Sequence, residues 1–335
     1  MKYLIVFCLL ISSGCSSIIA NKITKSEDIQ GNINLSAKEI DVCGNANNCT
    51  KVYQADGYSH TMVFNLDFGS SKQTWLYQSK FAEKIEEKPL EGEIVYVFAG
   101  YSQPFKLLTQ FQDWLTQVTG AEVFIVPSAN NESTFRFGMS YVEPIAQYIR
   151  KENKKVHLIG FSMGAVPAQQ IAMQIENSSL HLIAPMTNFE TSLNAFREYY
   201  LSSVDRYFFG QEEVKEAADI VIERAELKGR ELDIIGNLKE SHNKAFVYIS
   251  PEDIVVADNR WSEFDHPNVH VYNYSNMMHE VIVMLMNQQL KFDLVSNLTS
   301  EEYISKNNKF LGTICEAKDR NCINNYTQLE TELSE

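Results

Sequence analysis

The 335-residue chain has no Gly-x-Gly-x-x-Gly turn, no phosphate-binding Gly-x-x-x-x-Gly-Lys loop and no His-Glu-x-x-His pair. These absences leave no sequence grounds for a dinucleotide, a nucleoside triphosphate or a catalytic zinc, so no cofactor and no metal are expected. His279-Glu280 comes nearest to the zinc motif, but Val283 stands where its second histidine would be. Neither late nor early cysteine pair has Cys-x-x-Cys spacing, and no histidine cluster lies beside one. Positive charge is also scarce, with 29 Lys and Arg against 43 Asp and Glu and a formal net charge of −14. Lys154 and Lys155 do not make a basic patch. This balance argues against nucleic acid and against binding anionic lipid by charge alone. There is no internal repeat, and 44% hydrophobic content over this length is ample for one large core.

The N-terminus carries Lys2, an apolar core from Tyr3 to Ile11, then Ser12-Ser13-Gly14-Cys15. That core is too short to span a bilayer as a helix, which makes it an export signal. Small residues directly before a cysteine resemble a bacterial lipoprotein cleavage box, with Ser12 where leucine is usual. The resemblance implies a mature chain that begins at a lipidated Cys15 and is anchored to a membrane. Ser16 after the cysteine would favour the outer membrane, with the folded part facing the periplasm or the surface. Cys43 with Cys49 and Cys315 with Cys322 suit two small disulfide loops in an oxidising compartment, and pairing across the termini stays open.

Residues 16–59 are polar and Asn-rich and read as a tether with a disulfide staple. Met62, Phe64, Leu66 and Phe68 alternate with polar residues, as do Thr74, Leu76 and Gln78 after a turn. This predicts an antiparallel hairpin at the edge of a sheet. Ile94 to Phe98 is a continuous apolar run, as in a strand buried on both faces. Helical and strand patterns then alternate: a helix through Leu107, Phe111, Leu115 and Val118, strand Val123 to Val126, a helix from about Ser140, and strand Val156 to Ile159. Such alternation predicts a mostly parallel sheet with right-handed crossovers. Strand Leu180 to Ile183 precedes a helical stretch over 186–242, which holds Tyr199, Phe208 and Phe209. Strands Ala245 to Ile249 and Val269 to Tyr272 follow, then a closing helix Val281 to Leu290 and a polar tail over 298–335.

The centre of this pattern is Gly160-Phe161-Ser162-Met163-Gly164, set between an apolar strand and the small-residue helical run Ala165, Ala168, Ile171 and Ala172. Strand, sharp turn and helix form a nucleophile elbow, which leaves Ser162 exposed at the strand end. The two glycines remove the Cβ atoms that would clash at the crossing. Through this stretch and the elements around it, roughly Ile94 to Gln289, the chain resembles the α/β-hydrolase superfamily. The resemblance implies an α/β fold with cores over 60–185 and 243–297 and a helical cap over 186–242, inserted between the sixth and seventh strands. Tyr199, Phe208 and Phe209 would then offer an apolar wall to the substrate.

A serine hydroxyl needs a base to take its proton, and the base needs an acid to hold its tautomer. In this superfamily the chain order is Ser, acid, His. Of the seven histidines, His279 opens an apolar helix beyond the last strand and resembles the catalytic base. Asp253, just past strand Ala245 to Ile249, matches the acid position, with Glu252 and Glu190 as alternatives. The resemblance assigns the oxyanion donors to the backbone of Met163 and of Tyr101, with Ala99 where relatives often have His. It implies a serine hydrolase that cleaves a small ester or thioester through an acyl-enzyme. Acyl transfer by the same triad, or a non-catalytic envelope lipoprotein on this scaffold, are the alternatives, since fold does not fix activity.

Overall fold

The computed structural model describes residues 16–25, 37–45, 48–55, 61–68, 71–78, 85–200 and 210–316. Eight strands make the main sheet in the order β1-β2-β6-β5-β7-β8-β9-β10. They are β1 (Ala37–Asn45), β2 (Asn48–Ala55), β5 (Ile94–Phe98), β6 (Glu122–Val126), β7 (Val156–Phe161), β8 (Ser178–Ile183), β9 (Lys244–Ile249) and β10 (Val269–Asn273). From β6 to β10 every neighbour pair is parallel. β5 and β7 are buried at every position, because helices cover both faces of the sheet.

Flanking helices start and stop where the sequence allows. Helix α2 (Phe105–Thr119) ends at Gly120, whose φ of 78° is the left-handed cap that glycine takes without strain. Helix α3 (Val142–Glu152) buries Val142, Ile145, Ala146 and Ile149, a stripe at helical spacing, and ends at Asn153 in the same conformation. Helix α4 (Ala165–Ala172) follows the elbow and is almost wholly buried, with Ala165, Ala168 and Ala172 admitting close approach to the sheet. Between the sheet's sixth and seventh strands, β8 and β9, lie α5 (Phe189–Tyr200), α6 (Gln211–Arg224), α7 (Gly229–Leu232) and α8 (Ile234–Leu238).

Four expectations are corrected. The stretch 16–59 is not a simple tether: residues 16–24 form a helix, α1, and β1 and β2 pair to extend the main sheet. Each strand buries little, chiefly Val42 and Val52, so the hydrophobic pattern was weak. The hairpin β3 (Thr61–Phe68) with β4 (Ser71–Gln78) does form, but in a second sheet beside β11 (Thr313–Glu316), not at the main sheet's edge. The closing helix splits into α9 (His279–Val283) and α10 (Gln288–Leu298), because Leu285 adopts a φ of 52° that no helix carries. Residues beyond 298 are more than a tail, since helix α11 (Glu301–Lys306) buries Tyr303 and Ile304, and Phe310 and Leu311 follow them into the core.

Cys43 and Cys49 face one another across the β1–β2 pair and form a disulfide. Cys315 lies in β11, while Cys322 and Cys15 fall outside the described residues.

Candidate active site

Ser162 sits at the C-terminal end of β7 with a φ of 49°, in the left-handed region that a side-chain-bearing residue seldom occupies. The sharp turn works only with glycine on both sides. A Cβ on Gly160 would stand 2.6 Å from Ala165 Cα, and one on Gly164 would press on Phe98 O and lie 2.6 Å from Ala99 O. All of these are backbone atoms and cannot give way. The chain then enters α4 through a 3-10 turn, Ser162–Gly164, so the positive end of that helix lies beside the hydroxyl.

Two loops from later strands meet this serine. His279, the first residue of α9, places Nε2 3.0 Å from Ser162 Oγ. Its Nδ1 lies 2.8 Å from Asp253 Oδ2. A carboxylate only accepts, so Nδ1 carries the proton and Nε2 is left to accept from the serine hydroxyl. Asp253 is wholly buried, and its Oδ1 accepts from Val255 N–H at 3.1 Å. Ser250 ties the two loops together: its Oγ accepts from Met277 N–H at 3.3 Å and donates to Glu252 at 2.9 Å. Glu252 is thus turned away from the imidazole, and Glu190 lies in the first turn of α5. Asp253, and neither alternative, is the carboxylate on His279.

Met163 follows the nucleophile within the turn, and the loop after β5 crosses above the serine. A Cβ on Gly100 would lie 3.3 Å from both Ser162 Cβ and Phe161 O, so this loop passes close over the nucleophile. The Tyr101 side chain leads away. Its hydroxyl donates to Ile23 O in α1 at 2.9 Å, and its ring packs edge-on to Phe135 at 6.2 Å. Phe135, Phe137 and Phe189 continue the row to the start of α5. Sequence reasoning missed these aromatics, because Phe135 and Phe137 lie in an irregular loop with no periodicity to read. Of the expected aromatic wall, Tyr199 is the next-to-last residue of α5, and Phe208 and Phe209 fall outside the described residues. Helix α1 packs against α6, with Ser16 Oγ donating to Glu216 and Arg224 donating to Asn21, both at 2.7 Å.

A second serine, histidine and carboxylate lie in line elsewhere. His157 contacts Ser179 Oγ and Glu93 Oε2, each at 2.6 Å. Ser179 is a strand residue, and its Oγ is shared with His181 Nε2 at 3.0 Å. It has the residue types of a triad without the left-handed turn that holds Ser162, and belongs to a buried polar row that continues through Tyr248 and Asn297.

That row makes stability depend on pH. Burial holds His157 below its ordinary 6.5, against the opposing pull of Glu93, and holds fully buried His181 well below it. Both imidazoles stay neutral in the fold while the unfolded chain takes up protons below pH 6.5, so their contribution is present above that pH and lost as pH falls. Asp113 acts in the opposite sense, because burial pushes its carboxyl from 3.8 up to about 6. The folded state then takes up a proton that the unfolded state lacks, which adds stability as pH falls through 6. Asp113→Asn should therefore steepen the acid-side loss between pH 6.5 and 5 by up to about 1.4 kcal/mol per pH unit. Denaturant midpoints across that range check this, and an unchanged slope would contradict it.

Neither protein-family models nor curated proteins match the sequence. Solved structures do. An esterase from Pyrococcus furiosus aligns at 14% identity and a TM-score of 0.53, covering 83% of this chain and 96% of that one. A second crystal form of that esterase aligns at 14% identity and a TM-score of 0.50, covering 85% and 97%. The chain has the α/β-hydrolase fold. At such identity the likeness speaks for the fold alone, and the reading of this α/β-hydrolase-fold protein's site rests on its own geometry.

Proposed function

We propose that the protein is a serine hydrolase that cleaves a carboxylic ester or thioester through an acyl-enzyme. The observation that carries this reading is the unbroken line from Ser162 Oγ through His279 to buried Asp253, with Ser162 held at a φ of 49°. Ser162 Oγ attacks the acyl carbonyl as its proton passes to His279 Nε2. The tetrahedral oxyanion is met by the Met163 and Tyr101 amides and by the start of α4. Collapse expels the alcohol or thiol, which takes the proton from His279. Water, deprotonated by the same nitrogen, then attacks the acyl-enzyme and releases the acid.

A small cavity of about 20 Å³ lies beside the nucleophile strand, with apolar walls from Leu107, Phe111, Phe161, Val283 and Met284 and one polar side chain, Gln110. Phe161 directly precedes Ser162, and Val283 and Met284 close the helix that His279 opens. An uncharged acyl group that entered along these walls would gain about 25 cal/mol per Å² removed from water. A chain-length series of nitrophenyl esters tests the reading, with Ser162→Ala as background. Turnover that varies with acyl length is expected, and none above background for any ester would contradict it.

A further inference from the structure

We propose that Gln103 is a positioning residue that aims the Tyr101 amide at the oxyanion, an assignment that rests on the ester-cleaving reading above. Gln103 is buried, yet it is polar and lies in the loop that crosses Ser162. It grips Gly100 on both sides. Its side-chain Oε1 accepts from Gly100 N–H at 2.8 Å, and its own backbone N–H donates to Gly100 O at 3.2 Å.

The backbone bond sets the peptide's direction, because Gly100 O belongs to the same peptide unit as the Tyr101 nitrogen, and the side-chain bond to Gly100 N–H holds the loop in the turn where that backbone bond forms. A trans peptide is planar, with its C=O and N–H on opposite sides. Tying Gly100 O towards Gln103 therefore turns Tyr101 N–H the other way. The loop's next amide is held as well, since Ser102 N–H, on a residue with a φ of 51°, points at Asn130 Oδ1 at 2.7 Å and Ser128 Oγ at 3.1 Å. The amides on either side of Tyr101 are thus engaged by side-chain acceptors, and the loop cannot turn about Tyr101 without breaking one of those grips. Gln103 also reaches the histidine's helix, with Nε2 3.9 Å from Met284 Sδ.

Gln103→Met keeps the side chain's length and removes its acceptor. The variant should lose about 10- to 100-fold in kcat towards a nitrophenyl ester, less than the roughly 100- to 1,000-fold that deleting an oxyanion donor itself costs. KM should stay within about twofold, because ground-state binding does not use the amide. Binding of a boronic acid, whose tetrahedral adduct carries the oxyanion's charge, should weaken by the same factor as kcat. Gln103→Ala serves as a second variant, with the same kcat loss and a lower unfolding temperature. An unaltered kcat in Gln103→Met, or a raised KM with kcat intact, would overturn the assignment and leave the ester reading standing. A wild type that turns over no ester would overturn both.

Discussion

Ser162→Ala should remove roughly 10⁵- to 10⁶-fold of the kcat for ester hydrolysis and leave the fold in place. The substitution deletes one oxygen and keeps the Cβ, so the φ of 49° and the glycines that permit it are undisturbed. What is lost is the hydroxyl 3.0 Å from His279 Nε2, the atom that would form the covalent bond to the substrate. Residual activity of the order that oxyanion and binding contacts alone supply is expected. Ser179→Ala provides the comparison. It too loses a serine hydroxyl bonded to an imidazole, but in the middle of the sheet's polar row, so it should lower stability by about 1 to 3 kcal/mol and spare kcat. If both variants, or Ser179→Ala alone, lost activity, the assignment of the nucleophile would fail.

Asp253→Asn should reduce kcat by about 10⁴-fold. Asp253 is fully buried between two donors, Val255 N–H and His279 Nδ1–H. An asparagine there keeps one oxygen for Val255 and turns its amide towards the imidazole. Nδ1 must then accept, which moves the ring proton to Nε2, and Nε2 can no longer take the proton of Ser162. The loss is in tautomer and not in shape, so KM and the unfolding temperature should change little. Matched measurements on Glu252→Gln and Glu190→Gln check the assignment. A loss in either that rivals Asp253→Asn would contradict it.

Ser162 was legible in the sequence because its setting is local, whereas Asp253 and His279 were expected through the family resemblance, with Glu252 and Glu190 open beside Asp253. Gly-Phe-Ser-Met-Gly between a buried strand and a small-residue helix specifies its own turn, and Asp253 and His279 follow buried strands within a few residues. The parallel core was legible for the same reason, since Ile94–Phe98 and Val156–Phe161 are apolar throughout. What escaped depends on partners far along the chain. Helix α1 reads as polar because only Ser16, Ala20 and Ile23 are buried, and Ser16 meets a glutamate 200 residues away. β1 and β2 show too little alternation to distinguish them from a surface segment. The break at Leu285 carries no glycine or proline to announce it, and Gln103 looks like any polar loop residue until its two bonds to Gly100 are seen.

The nucleophile is the account's central claim, and covalent labelling by a fluorophosphonate tests it most directly. The reagent reacts only with a serine that a base has activated, and it needs no knowledge of the substrate. Wild type and Ser179→Ala should be labelled at Ser162 at equal rates, and Ser162→Ala should not be labelled at all. Undiminished labelling of Ser162→Ala, or a wild type that resists the probe, would contradict the account.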